Sequence, residues 1–265
     1  MLHHALLKAA VGTLAASVLV PLQRSCQRHP LNESANSPPT TAVHASVTKR
    51  HEPIRMELLD ANERPPMYVM RGEPRGPGRL VFLHGMCGHG LGYAQSFQFS
   101  ASKYGTLIAP QGDVSCGGPW SKWSMNLEAL DERITRTFRA LGHGEPINDI
   151  VVMGYSQGAS RAEALVRKWP QRYTRMVLMG GPSAPSARGL AELRAAVTMA
   201  GQRDRQDLMR NGSRTLSAIG VPATFFLIPE ATHGAMGPAP ERTMNDALSW
   251  LFENSRSTNA EAEPG

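Results

Sequence analysis

The chain has 265 residues, 41% hydrophobic and 19% charged. That is enough chain for one α/β domain with a full core, and too apolar for a mainly disordered protein. The net charge is +6, but the basic residues are scattered, with no run beyond Lys49-Arg50. A nucleic-acid binder would cluster them with aromatics, so no nucleic-acid partner is expected. Three Cys are too few for a small disulfide scaffold, and no Cys-x-x-Cys pair offers a zinc site, so no metal is expected.

The amino terminus comes first. An uncharged run, Ala9 to Gln23, follows Lys8. It has the length of a signal-peptide h-region and is shorter than the roughly 18–20 apolar residues of a membrane span. Residues 1–26 are therefore expected to be a targeting segment and the protein to be exported: periplasmic, extracellular or lipid-anchored. Ser25-Cys26 resembles a bacterial lipoprotein cleavage site, which would anchor the chain to a membrane through this segment. Gln23 and Arg24 depart from that pattern, which prefers aliphatic and small residues there. Residues 27–52, rich in Pro, Ser, Thr, Asn and Ala, read as a flexible linker, and 255–265 as a disordered tail. The folded domain is expected over 53–254.

Within it, short apolar runs alternate with helical patterns. Strands are expected at Ile54–Leu59, Met67–Arg71, Arg79–His84, Thr106–Ala109, Ile150–Met153, Met176–Met179, Val197–Ala200 and Ala223–Ile228. Helices are expected at Leu127–Leu141, Ser160–Trp169, Gln206–Ile219 and Glu241–Phe252, where apolar residues recur every three or four positions. The alternation predicts a doubly wound, mostly parallel sheet of about eight strands with helices on both faces. Only about 15 residues separate Met179 from the next strand, so no large lid domain is expected and the cleft should be open or shallow.

The sharpest motif is Gly154-Tyr155-Ser156-Gln157-Gly158, between the strand Ile150–Met153 and a helix. A serine on such a turn sits in a strained conformation, and small residues two before and two after make room for it. The turn lifts the hydroxyl over the sheet edge and puts the Gln157 N–H at a helix start, where negative charge is favoured. A Gly-rich turn carrying an ordinary serine would look similar out of this context. His233 is the only histidine after Ser156, and it follows the last strand, so its loop returns to the same sheet edge. The base needs an acid to orient its other nitrogen. Of Glu163, Glu192, Asp204, Asp207 and Glu230, Asp204 follows its strand through a short turn, whereas a helix would carry Asp207 away. The glycine-rich loop His84-Gly85-Met86-Cys87-Gly88 offers a second amide, so Met86 and Gln157 are the expected oxyanion donors. His84 precedes the serine and is expected to support this loop by hydrogen bonding.

The elements L-H-G-M at 83–86, G-Y-S-Q-G at 154–158, A-G-Q-R-D at 200–204 and T-H-G at 232–234 resemble the α/β-hydrolase superfamily. Within it they are similar to the dienelactone-hydrolase and phospholipase/carboxylesterase-like branch. The resemblance covers about residues 54–254. It implies Ser156 as nucleophile, Asp204 as acid, His233 as base, a small ester or acyl substrate and no cofactor. The expected activity is a serine hydrolase acting on carboxylic esters, or on thioesters or amides by the same route. The alternatives are a non-catalytic envelope binding protein on the same fold, or an acyltransferase, haloperoxidase-like enzyme or peptidase. In an oxidising compartment a Cys87–Cys116 bridge would pin the oxyanion loop; in a reducing one the three Cys are separate thiols. Trp120, Trp123 and Met125 either line an acyl pocket or pack the surface of the next helix.

Overall fold

The computed structural model describes residues 55–60, 64–72 and 78–257. The expected targeting segment, the linker to residue 52 and Cys26 lie outside them. Among the described residues ten strands occur in chain order: β1 (Glu57–Leu58), β2 (Met67–Met70), β3 (Gly78–Leu83), β4 (Gly105–Pro110), β5 (Val114–Gly117), β6 (Trp120–Lys122), β7 (Ile150–Tyr155), β8 (Tyr173–Met179), β9 (Ala195–Gly201) and β10 (Ala223–Ile228). The helices are α1 (Gly90–Ala94), α2 (Gln98–Ser102), α3 (Leu127–Ala140), α4 (Gln157–Lys168), α5 (Asp207–Ala218) and α6 (Pro240–Glu253).

Eight strands form one sheet in the order β1-β2-β4-β3-β7-β8-β9-β10. β3, β4 and β7 to β10 pair in parallel, and β2 runs antiparallel to both its neighbours. Side chains alternate between faces along each strand. Val81, Leu83 and Val152 meet Ile134 and Phe138 of α3 and Leu165 of α4 on one face. Leu80, Phe82, Val151 and Met153 meet Phe97 and, from α6, Leu248 and Leu251 on the other. The two faces thus bury two separate apolar layers, which is the doubly wound arrangement the alternation predicts. No helix or strand interrupts the segment between β8 and β9, in line with the absence of a large lid.

Four features differ from expectation. The first strand covers only Glu57–Leu58 and is exposed. The last, β10, is an edge strand with one neighbour, and its residues are mostly half-buried. Phe225 there lies under the Arg210 guanidinium at 4.1 Å. A separate hairpin, β5–β6, follows β4, and the short helices α1 and α2 precede it. At the carboxyl end, Ser255 Oγ accepts a 2.6 Å hydrogen bond from Arg175 Nε, and the Arg256 N–H donates to Arg194 O at 2.9 Å. The packed chain therefore continues to Arg256, beyond the expected boundary at 254.

Sheet order positions the site. The chain leaves β3 for β4 on one side and returns to β7 on the other. The loops after β3 and β7 therefore part at the carboxyl edge of the sheet, the crevice in which open α/β sheets bind ligands.

Candidate active site

Ser156 sits between β7 and α4 with φ 51° and ψ −116°, a left-handed backbone for a residue with a Cβ. The Ser156 N–H donates to Met179 O at 2.8 Å. The glycines on either side answer a steric need. A Cβ on Gly154 would stand 2.3 Å from Gly158 O, and one on Gly158 would stand 2.0 Å from Leu83 O.

His233 Nε2 lies 3.1 Å from Ser156 Oγ, and His233 Nδ1 lies 2.8 Å from Asp204 Oδ2. A carboxylate only accepts, so Nδ1 carries the proton and Nε2 is free to accept from the serine hydroxyl. Asp204 Oδ1 accepts from the Arg205 N–H at 2.7 Å, so both carboxylate oxygens are engaged. Asp204 is brought here by lacing between two loops. Gln202 N–H donates to Ile228 O, Arg203 N–H to Ala231 O and Asp204 N–H to Gly201 O, at 2.9–3.0 Å. Asp207 instead opens α5 and pairs with Arg205 at 3.5 Å on the surface. Gly180 lies beneath the pair: its φ is 51°, and a Cβ there would stand 3.2 Å from Asp204 Oδ2 and 3.4 Å from His233 Cε1.

Two tyrosines, absent from the sequence expectations, hold the histidine loop. Tyr93 O–H donates to Gly234 O at 3.0 Å, and Gly234 N–H donates to Tyr155 Oη at 2.7 Å. Their rings stack at 5.3 Å, and Tyr155 lies 5.6 Å from the His233 ring. Burial pushes the Tyr155 phenol up to about 12, so it remains a neutral hydroxyl.

The loop after β3 closes against Ser156 from the other side: a Cβ on Gly85 would stand 3.3 Å from Ser156 Cβ. The next amide is that of Met86, whose side chain is exposed. The Gln157 N–H begins α4 and has no intrahelical acceptor. The Gln157 side chain is occupied elsewhere: its Oε1 accepts from Trp123 N–H at 3.1 Å and its Nε2 donates to Trp123 O at 3.2 Å.

His84 is fully buried, and both its ring nitrogens have partners, Ser121 Oγ on β6 standing 3.4 Å from Nε2. Its Nδ1 donates to Gly85 O at 2.7 Å, and its Nε2 accepts from Gly112 N–H at 2.9 Å. The ring is therefore neutral, and burial lowers its pKa to about 4. Below pH 6.5 the unfolded chain takes up a proton at this ring that the folded chain refuses until about pH 4. Stability is therefore lost as pH falls through that window, by up to about 3 kcal/mol. Denaturant unfolding at pH 7.5 and pH 4.5 should give a smaller difference in His84→Asn than in the unmodified chain.

Trp123 is buried on His84, with ring centroids 4.7 Å apart, and its Nε1–H donates to His84 O at 2.7 Å. It packs into the apolar layer beneath the loop. Met125 is exposed, with its sulfur 2.8 Å from Arg161. Buried Gln111 ties the loops together. Its Oε1 accepts from Gly90 N–H at 2.9 Å, and its Nε2, with two hydrogens to donate, lies 2.6–3.2 Å from Gly88 O, Pro119 O and Ser121 Oγ. Cys87 and Cys116 are joined by a disulfide, which fastens the β5–β6 hairpin to the loop after β3. The bridge spans 29 residues of sequence, and loop-closure entropy gives it about 3–4 kcal/mol. Cys87→Ser should lower the unfolding free energy by that amount, and Cys87→Ser with Cys116→Ser together should lower it no further. Denaturant titration of the three variants measures this. Among the described residues no His, Cys, Asp and Glu side chains group to hold a metal, and no helix is long and apolar enough to cross a membrane.

Neither a family model nor a curated protein sequence matches the chain. Solved structures do. A predicted CIB-like hydrolase from Thermoplasma acidophilum is 16% identical at a TM-score of 0.53, over 76% of this chain and 98% of that one. The fluorophosphonate-binding serine hydrolase F of Staphylococcus aureus is 14% identical at a TM-score of 0.54, over 70% and 91%. Naproxen esterase from Bacillus subtilis is 13% identical at a TM-score of 0.53, over 76% and 92%. With its sheet order, its strand-to-helix serine turn and these likenesses, the chain has the fold of the α/β-hydrolase superfamily.

Proposed function

We propose that the protein is a serine hydrolase that cleaves carboxylic esters through an acyl-enzyme on Ser156. The observation that carries this reading is the hydrogen-bonded row Ser156–His233–Asp204 at the carboxyl edge of the sheet, with the Gln157 amide next in the chain at the start of α4. In the first step Ser156 Oγ attacks the ester carbonyl carbon while His233 Nε2 takes the hydroxyl proton. Asp204 holds the ring so that Nε2 faces the serine, and it stabilises the imidazolium that forms. Negative charge on the carbonyl oxygen is met by the Met86 and Gln157 N–H groups, fixed before reaction. The C–O bond then breaks, and the departing oxygen takes the proton from His233. Water, deprotonated by the same nitrogen, releases the acid and restores Ser156.

The names of the similar structures, an esterase and a fluorophosphonate-binding serine hydrolase among them, support the reaction class. A non-catalytic binding protein would have no use for all three groups in hydrogen-bonding order. Export of the protein is part of the same proposal, supported by the apolar run at Ala9–Gln23 and by a disulfide suited to an oxidising compartment. A panel of p-nitrophenyl esters of graded chain length tests the activity. Hydrolysis with an initial burst of p-nitrophenol, one per chain, is expected. Absence of turnover across the panel, beside intact binding of the same esters, would favour the binding-protein reading.

A further inference from the structure

A cleft of about 670 Å³ opens beside the histidine loop, in the size range of small-molecule sites. It is lined by Gly234, which follows His233 in the chain, by Tyr93, Leu91 and Met236, and by His89 and Trp120. The His89 and Trp120 rings meet edge to face at 6.1 Å. Trp120 is 52% exposed. It opens strand β6, in the hairpin that the Cys87–Cys116 disulfide and the Gln111 bond to Pro119 O hold in place. An aromatic ring that is both exposed and held from behind is already arranged for contact, so ordering it on binding costs little.

We propose that this cleft receives the alcohol portion of the ester, and that Trp120 selects alcohols bearing a flat ring. The assignment rests on the serine hydrolase reading of Ser156. His233 Nε2 must hand its proton to the departing oxygen, so that oxygen lies within hydrogen-bond reach of it. The group attached to that oxygen then passes the His233–Gly234 segment, where the cleft begins. The cleft is open to solvent along one side. A flexible alkyl chain there would leave much of its surface in water and lose torsional freedom. A rigid ring keeps one whole face against the indole at little entropic cost.

The test uses the full chain and three esters. Ethyl acetate and 2-phenylethyl acetate share an acyl group and differ in the alcohol, while methyl 3-phenylpropanoate carries its ring on the acyl side. For the unmodified protein kcat/KM should be about tenfold higher for 2-phenylethyl than for ethyl acetate. Trp120→Ala should erase most of that difference through KM, lowering kcat/KM for 2-phenylethyl acetate several-fold more than for ethyl acetate or methyl 3-phenylpropanoate, and Trp120→Phe should restore part of it. Equal rates for the two acetates, or an equal fall in both with Trp120→Ala, would overturn the proposal. So would a Trp120 dependence confined to the acyl-side ring. Calorimetric binding of 2-phenylethanol to Ser156→Ala separates this proposal from the reading beneath it. Binding that weakens with Trp120→Ala while no ester is hydrolysed would sustain the cleft and reject the hydrolase. Hydrolysis of ethyl acetate with binding indifferent to Trp120 would do the reverse.

Discussion

Ser156→Ala should abolish ester turnover while leaving the melting temperature nearly unchanged. The hydroxyl makes one side-chain hydrogen bond, to His233 Nε2, and that ring is half exposed. Its loss therefore opens no cavity and strands no buried partner. The chemical consequence is severe, because among the described residues Ser156 Oγ is the hydroxyl hydrogen-bonded to His233 Nε2. His233→Ala should be about as damaging, and the double variant no worse than either single one, since groups that act as a unit lose their joint effect at the first deletion. Residual activity on the order of 10³ over the uncatalysed rate would remain from the Met86 and Gln157 amides and substrate positioning.

Asp204→Asn should lower kcat by roughly 10³–10⁴. The side chain keeps its size, so the loops around it hold, but its amide can present a donor to His233 Nδ1. The ring then carries its proton on Nε2, facing the serine, and can no longer act as base. Asp207→Asn should change kcat little, because Asp207 faces solvent beside Arg205 at the start of α5. Steady-state kinetics of the two variants on one p-nitrophenyl ester distinguish them. A large effect at Asp207 and none at Asp204 would reassign the acid.

The parts of this arrangement that were legible in the sequence share one property: each is marked by local pattern. Ile150–Met153 in β7 and Met176–Met179 in β8 are uninterrupted apolar runs because both faces of a central parallel strand are buried. The Ser156 turn is marked by Gly154 and Gly158, whose lack of a Cβ is a packing requirement. His233 stood out because no other histidine follows Ser156, and Asp204 because it follows the end of a strand at the same edge.

What was not legible depends on contacts across long stretches of chain. The β5–β6 hairpin has two short strands around Gly117-Gly118-Pro119, with no apolar run to announce them. Gln111 reads as an ordinary polar loop residue; it is buried because backbone groups of Gly88, Gly90 and Pro119 converge on its amide. Tyr93 and Tyr155 are 62 residues apart and meet only because β7 lies beside the strand that leads into α1. Their shared hold on Gly234 has no local signature. The helices at Gly90–Ala94 and Gln98–Ser102 are each five residues long, too short for a clear periodic stripe. Trp120 and Trp123 lie three residues apart, one exposed over a cleft and one buried on His84, a division that only the fold makes.

The central claim is that Ser156 is a nucleophile activated by His233. Treatment of the full chain with a fluorophosphonate, followed by digestion and mass spectrometry, tests it most directly. A single phosphonyl adduct on Ser156 is expected, formed in the folded protein, not formed when the protein is unfolded before treatment, and formed at a greatly reduced rate in His233→Ala. An unlabelled Ser156 in protein shown to be folded, or a label on another residue that survives Ser156→Ala, would contradict it.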